Sequence, residues 1–249
     1  MPADALIVQI TDLHLQPEPG EYYRGFDLAA RLHQVLVEVR RRFEQVDLLL
    51  LTGDLTHHGE AATYNWLAEQ VEGVAAQTCW IPGNHDIAEH MTGSLWQRSL
   101  SLAGWQVVLL DSTAEPDGCG SGALADSELA ALQQQLADNT QPTLVVLHHN
   151  PLATGSAWQD AVMLSNAPQF WQALTGHLQV SAVLHGHIHQ QFEQYQGSVE
   201  VLSTPAIAPQ FKPQQADFTL EDNPAHTGPA FRWLRLMSDG SLDSAVVRL

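Results

Sequence analysis

Positive charge is scarce in this chain: its 249 residues carry 10 Lys and Arg against 28 Asp and Glu, a formal net charge of −18. Such a surface repels polyanions at long range and has no basic stripe to follow a phosphate backbone, which excludes long nucleic acid as a partner. A small anionic substrate is still admissible, because bound metal ions are often the largest local charges and reverse the field around them. Cysteine is nearly absent too. Cys79 and Cys119 lie far apart in sequence and form neither a CxxC pair nor a disulfide framework, which suits a reducing compartment. Long apolar runs are also missing. The first, Ala5 to Ile10 behind Met1-Pro2-Ala3-Asp4, is far too short for a signal core or a membrane span, so a cytoplasmic protein with no membrane partner is expected.

What is present is enough apolar residue, 45%, for one sizeable core. Short apolar runs end abruptly in polar residues at Ala5 to Ile10, Asp47 to Leu51, Thr78 to Ile81, Val107 to Leu110, Thr143 to Leu147 and Val180 to Leu184, and each reads as a buried strand. Helical spacing relates Leu28, Leu32, Val35, Leu36 and Val39, then Tyr64, Leu67, Ala68 and Val71, and later Leu129, Leu132 and Leu136. Strand and helix alternate, so an α/β sheet core is expected. Beyond residue 190 the pattern changes to strand-like pieces at Phe192 to Tyr195, Val199 to Leu202, Asp217 to Leu220, Phe231 to Met237 and Ser244 to Leu249, which predicts a second, mostly antiparallel sheet. No repeat or linker divides the chain. A single domain over 1–249 is expected, with 203–249 a C-terminal loop and strand extension.

Five strand ends deliver metal-capable residues to the loop that follows: Asp12-Leu13-His14, Gly53-Asp54, Gly83-Asn84-His85-Asp86, His148-His149, and Gly186-His187-Ile188-His189. Taken singly, each is ordinary; Gly53-Asp54 alone is a turn with an Asx-type hydrogen bond. Together they can converge, because open α/β sheets bind ligands beyond the carboxyl ends of their strands. Imidazole and carboxylate donors with one amide oxygen and no thiolate suit Zn, Mn, Fe or a similar ion better than magnesium alone or calcium. Seven such donors exceed one ion's needs, whereas two ions about 3.5–4 Å apart can share a bridging carboxylate and water.

In this order and spacing, the motifs resemble those of the calcineurin-like metallophosphoesterase superfamily over about residues 7 to 189, and more closely the bacterial class III 3',5'-cyclic AMP phosphodiesterases. Gln210-Phe211-Lys212-Pro213 and the ending Asp239-Gly240 to Arg248-Leu249 add to the closer match. The resemblance implies a four-layer α/β/β/α sandwich with two divalent or mixed-valence ions, Fe, Mn or Zn. It implies that Asp12, His14 and His189 hold one ion, that Asn84, His148 and His187 hold the other, and that Asp54 bridges. It further implies hydrolysis of 3',5'-cyclic AMP to 5'-AMP by a metal-bridging hydroxide, with Asp54 and His85 catalytic and His14, Asp54, Asn84, His85 and His189 meeting the substrate. His85 would bond a phosphate oxygen or protonate the leaving alkoxide, and Asp86 would orient it. Other small phosphodiesters or nucleotides are the alternative substrates, and a non-catalytic metal-binding scaffold is the remote alternative. A homodimer is left open.

The chain departs from its relatives in places. Asn150 stands where cyclic-nucleotide relatives often have a third histidine, which leaves His148 and His149 to compete as ligand; His148 leaves the strand first and is preferred. His57 occupies the position of the tyrosine ligand of purple acid phosphatases, so no tyrosinate–iron site is expected, and His57 and His58 read as surface or substrate-edge residues. His185 reads as buried and hydrogen-bonded outside the site. Trp66, Trp96, Trp171 and Trp233 read as packing, while Trp158, in the loop after His148, is a candidate cover for the substrate.

Overall fold

The computed structural model describes residues 4–91, 93 and 95–249; residues 1–3, part of the stretch on which the absence of a leader was read, lie outside the described residues. In chain order the elements are β1 (Ala5–Ile10), β2 (Tyr22–Tyr23), β3 (Phe26–Asp27), α1 (Leu28–Arg42), β4 (Leu48–Thr52), α2 (Ala61–Val71), β5 (Gln77–Ile81), β6 (Ser99–Leu102), β7 (Trp105–Leu109), α3 (Asp126–Asp138), β8 (Thr143–Val146), α4 (Ala157–Asp160), α5 (Ala167–Leu174), β9 (Val180–His185), β10 (Phe192–Gln196), β11 (Val199–Ser203), β12 (Ala230–Leu236) and β13 (Leu242–Arg248). They build one sheet in the order β13-β12-β1-β4-β5 and another in the order β10-β11-β9-β8-β7-β6, beside the small β2-β3 pair.

The two-residue period of a strand sorts the apolar side chains into layers. Leu6, Val8 and Ile10 of β1, with Leu49 and Leu51 of β4, pack against Leu32, Val35 and Leu36 of α1 and Leu67 of α2. Ile7, Leu48 and Leu50 face the opposite way and meet Val107, Leu144, Val146 and Leu184 of the second sheet. The outer face of that sheet, with Val108, Val145 and Val183, lies against Leu132 and Leu136 of α3 and Phe170 of α5. The outcome is α/β/β/α, and burial of the central strands on both faces is why they read as unbroken apolar runs. Helix α1 starts where the Asp27 carboxylate accepts from the Ala30 N–H at 2.9 Å, and Arg40, Arg41 and Arg42 complement the dipole in its last turn. Trp66, Trp96, Trp171 and Trp233 are partly buried against these clusters.

The C-terminal expectation needs correction. No second antiparallel sheet forms there; instead β11 pairs parallel with β9, and β12 pairs antiparallel with β1, so the late strands extend both existing sheets. Local alternation marks a strand but cannot say which edge receives it. The stretch Asp217 to Leu220 is not a strand: its one bridge joins Leu220 to Phe211, and Phe218 is 45% exposed. Among the described residues its backbone pairing is confined to that bridge, where the Lys212 N–H donates to Thr219 O and the Glu221 N–H to Gln210 O, both at 2.9 Å.

Candidate metal centre

The parallel strands β1, β4, β5, β8 and β9 end at the same edge of the sandwich, and the loops that leave them are laced together by backbone. The Asp12 N–H donates to Gly53 O at 3.1 Å and the His14 N–H to Asp54 O at 2.8 Å, while Ile207 and Ala208 donate to the carbonyls of Thr11 and Asp12. Among the described residues, five of the nine non-glycine residues in the left-handed region are Asp12, His14, Asp54, His187 and His189, with φ between 45° and 71°. That conformation costs about 1–2 kcal/mol per L-residue, and such strain gathers at functional sites. Gly186 makes the closest approach possible, since a Cβ there would meet Thr11 Oγ1 at 2.1 Å and Asp12 Oδ2 at 2.9 Å.

Among the described residues three groups result in which the donor atoms lie within 4.8 Å of one another: His14–His57–His85, and two made of expected ligands, Asp12–His14–His189 and Asp54–His148–His187. Asp54 faces both of the latter: its Oδ2 lies 3.4 Å from His14 Nε2 and its Oδ1 3.5 Å from His148 Nε2. Asp12 Oδ1 is 3.5 Å from His189 Nε2, His14 Nε2 is 3.2 Å from His189 Nε2, and Asn84 Oδ1 is 3.2 Å from His148 Nε2. Bonds of about 2.0–2.2 Å to a common ion leave its ligand atoms roughly 3–3.5 Å apart, so the donor set fits metal ions in both spacing and chemistry.

The ring nitrogens away from the donor groups are engaged by carbonyls, which can only accept. His148 Nδ1–H donates to Thr52 O at 2.9 Å and His189 Nδ1–H to Pro209 O at 2.8 Å, which leaves Nε2 of each as the free donor. His187 is turned the other way: Nε2–H donates to Val162 O at 3.1 Å and leaves Nδ1.

Charge is concentrated and dry. Burial pushes the Asp54 carboxyl up, but His148 and His14 hold it well below the usual carboxylate range. Asp12 is likewise lowered, with His189 outweighing burial. Burial drives His14 well below the ordinary imidazole value and, with His148 beside it, brings His187 down to about 3. His148 moves the opposite way, up to about 9, because Asp54 overcomes its burial.

All the predicted site residues lie at this edge, and His14, Asp54, Asn84, His85, His187 and His189 line a cleft of about 500 Å³. His149 belongs to none of these donor groups: it is buried, its Nδ1 lies 2.8 Å from Ser112 Oγ, and its ring packs 4.8 Å from that of His187. His185 is buried, with Nδ1–H donating to Gly186 O at 2.9 Å. The expected pairing of Asp86 with His85 is overturned. The Asp86 carboxylate accepts instead from the N–H groups of Leu55 (3.0 Å), Thr56 (3.1 Å) and Gly83 (2.9 Å) and from Tyr64 Oη (2.8 Å), tying the Asp54 loop to the Asn84 loop. His85 Nδ1–H donates to the His57 carbonyl at 3.2 Å. His57 also stacks on His85 with centroids 4.6 Å apart, and burial together with His85 lowers it to about 4. His57 lines the cleft, the substrate-edge place expected of it from the sequence.

Comparison with known proteins agrees with this geometry. The calcineurin-like phosphoesterase family model matches residues 5–191. The 3',5'-cyclic adenosine monophosphate phosphodiesterase CpdA of Pseudomonas aeruginosa is 34% identical over 253 residues, covering 99% of this chain and 91% of the relative. The protein of that name in Escherichia coli K12 is 35% identical over 251 residues, covering 98% and 89%. Among solved structures, a dimetal phosphatase from Danio rerio superposes with a TM-score of 0.67 at 14% identity, covering 98% of both chains. A purple acid phosphatase from yellow lupin seeds superposes at 0.64 and 13% identity, covering 100% of this chain and 54% of that one; both share the fold. The match runs through every loop that carries a donor, and this chain belongs to the calcineurin-like phosphoesterase family.

Proposed function

We propose that this protein hydrolyses 3',5'-cyclic AMP to 5'-AMP at a centre of two ions, Fe, Mn or Zn. The observation that carries the proposal is Asp54, whose two carboxylate oxygens each face a different donor group. Asp12, His14 and His189 would hold one ion, Asn84, His148 and His187 the other, and Asp54 would bridge. Bound there, the ions supply Lewis acidity: they neutralise phosphate oxygens and make water nucleophilic near neutral pH.

The chain's own residues do the rest. Dry walls and fixed imidazole tautomers keep the donors aimed without reorganisation. His14, Asp54, Asn84, His85 and His189 line the cleft where the phosphate would sit. His85, with Nδ1–H committed to the His57 carbonyl, has Nε2 left to meet the substrate. With both ring nitrogens protonated, His85 passes the Nε2 proton to the ribose 3'-oxygen as its bond to phosphorus breaks; water supplies the new oxygen on phosphorus, and the proton it sheds returns through solvent to His85. That two relatives 34% and 35% identical are named 3',5'-cyclic adenosine monophosphate phosphodiesterases supports this substrate.

Pairing of β12 with β1 and of β11 with β9 supports treating residues 1–249 as one domain, with 203–249 as its loop and strand extension. Two free cysteines support a reducing, cytoplasmic setting; among the described residues no helix is long and apolar enough to cross a membrane. Manganese-loaded protein should convert cyclic AMP to AMP. Brisk cleavage of simple phosphodiesters with no AMP formed would refute the substrate assignment.

A further inference from the structure

The cleft has two unlike sets of walls. One carries the metal donors and His85; the other consists of Trp158, Phe211, Phe218, Tyr23 and Arg24, none of which the phosphate chemistry uses. Phe211 stacks flat on His189 (4.0 Å, 9°) and meets Trp158 (5.1 Å) and Phe218 (5.2 Å) edge-on. Trp158 and Phe218 also meet edge-on, at 5.2 Å. The aromatic set is joined to the donor set through two stacked ring pairs, Phe211 on His189 and Tyr23 on His14 (5.7 Å, 12°).

Three features of this wall call for a ligand. The Trp158 indole N–H is buried and has no acceptor among the described residues, although a buried Trp N–H usually finds one and an orphaned donor carries a desolvation penalty. Phe218 stays 45% exposed at the rim. Arg24, the only Lys or Arg among the described residues that line the cleft, has its guanidinium 4.9 Å over the Phe218 ring and 5.4 Å over the Tyr23 ring, from a backbone at φ 49°. A flat heteroaromatic ring with lone pairs in its plane answers all three. It covers an exposed aromatic surface, stacks with a guanidinium, and gives the orphan N–H an acceptor.

We propose that this wall is the nucleobase slot, in which a base lies against Phe218 and Arg24 and a ring nitrogen accepts from Trp158 Nε1. The inference rests on the phosphodiester reading of the adjacent metal centre, and the test separates the two. Manganese-loaded protein is titrated calorimetrically with 5'-AMP and with ribose 5-phosphate, which share the phosphate and sugar and differ in the base. AMP should bind at least about tenfold more tightly, the scale of one base–aromatic stack. Phe218→Ala, at an exposed ring, should weaken AMP about tenfold while leaving ribose 5-phosphate unchanged. Trp158→Phe, which keeps a ring but removes the N–H, should weaken AMP by a few-fold and ribose 5-phosphate not at all. Equal binding of the two ligands by the unmodified protein, or equal shifts of both in the variants, overturns the slot alone. Failure of both ligands to bind overturns the phosphate site as well.

Discussion

Replacing Gly83 by alanine should empty the metal centre while leaving the fold intact. A Cβ at Gly83 would lie 2.3 Å from Asp54 Oδ1, 2.4 Å from Asp54 N and 2.8 Å from His148 Cε1, and ordinary contact begins at 3.4 Å, so something must move by about 1 Å. The parts that must move are pinned: Gly83 N–H donates to Asp86 Oδ2 at 2.9 Å and His85 N–H to Asp54 Oδ1 at 2.9 Å. Overpacking of this kind costs about 1–3 kcal/mol, well inside the roughly 5–15 kcal/mol of a typical domain. The displaced atoms include a carboxylate oxygen placed between the two donor groups. Metal affinity should therefore fall about 10–100-fold, as when the supports of a ligand are lost, and turnover about 100-fold for a 1 Å misplacement. Thermal unfolding followed by far-UV circular dichroism, competition with a chelator, and a phosphodiesterase assay measure the three effects. Gly197→Ala is the control, since φ is 63° there but nothing lies within 4 Å; it should cost about 1–2 kcal/mol of stability and no metal. Wild-type metal affinity and turnover in Gly83→Ala would refute the reasoning.

Two further outcomes follow from the same geometry. His85→Ala should lower turnover by about 10²–10⁴-fold with metal content unchanged; loss of metal with undiminished activity per bound ion would make His85 a ligand. The pH dependence should follow His148, whose proton is held to about 9 when folded against an ordinary imidazole value of 6.5. That proton stabilises the metal-free fold fully below 6.5, and the contribution disappears as pH rises through about 9, so the Tm of metal-free protein should fall across that window. Metal competes with the same proton, so affinity should rise by up to about tenfold per pH unit over the interval. A pH-independent affinity would count against His148 as the group displaced.

Much of the site was legible because a parallel strand buried on both faces must end where its polar residues begin, and five such ends carried imidazole, carboxylate or amide groups. The helix faces of α1 and α3 were legible for the same kind of reason, as 3.6-residue spacing survives in Leu28 to Val39 and Leu129 to Leu136. The destination of the late strands was not legible. Phe231 to Met237 alternates like any edge strand, and only the vacant side of β1 directs it into the first sheet. Asp86 was misread because adjacency to His85 in sequence says nothing about where a carboxylate points once the loop has turned. In the fold it turns back to three backbone N–H groups.

The sequence by itself determined the donor chemistry and the α/β alternation, since these depend on residue type and spacing. Tertiary structure alone decided which nitrogen of each histidine is free, that Asp54 stands between the two donor groups, and that Trp158, Phe211, Phe218 and Arg24 meet in one wall although they are distant in sequence. Those outcomes depend on carbonyls, rings and charges brought together across the sandwich, and contacts at that range leave no local periodicity in the chain.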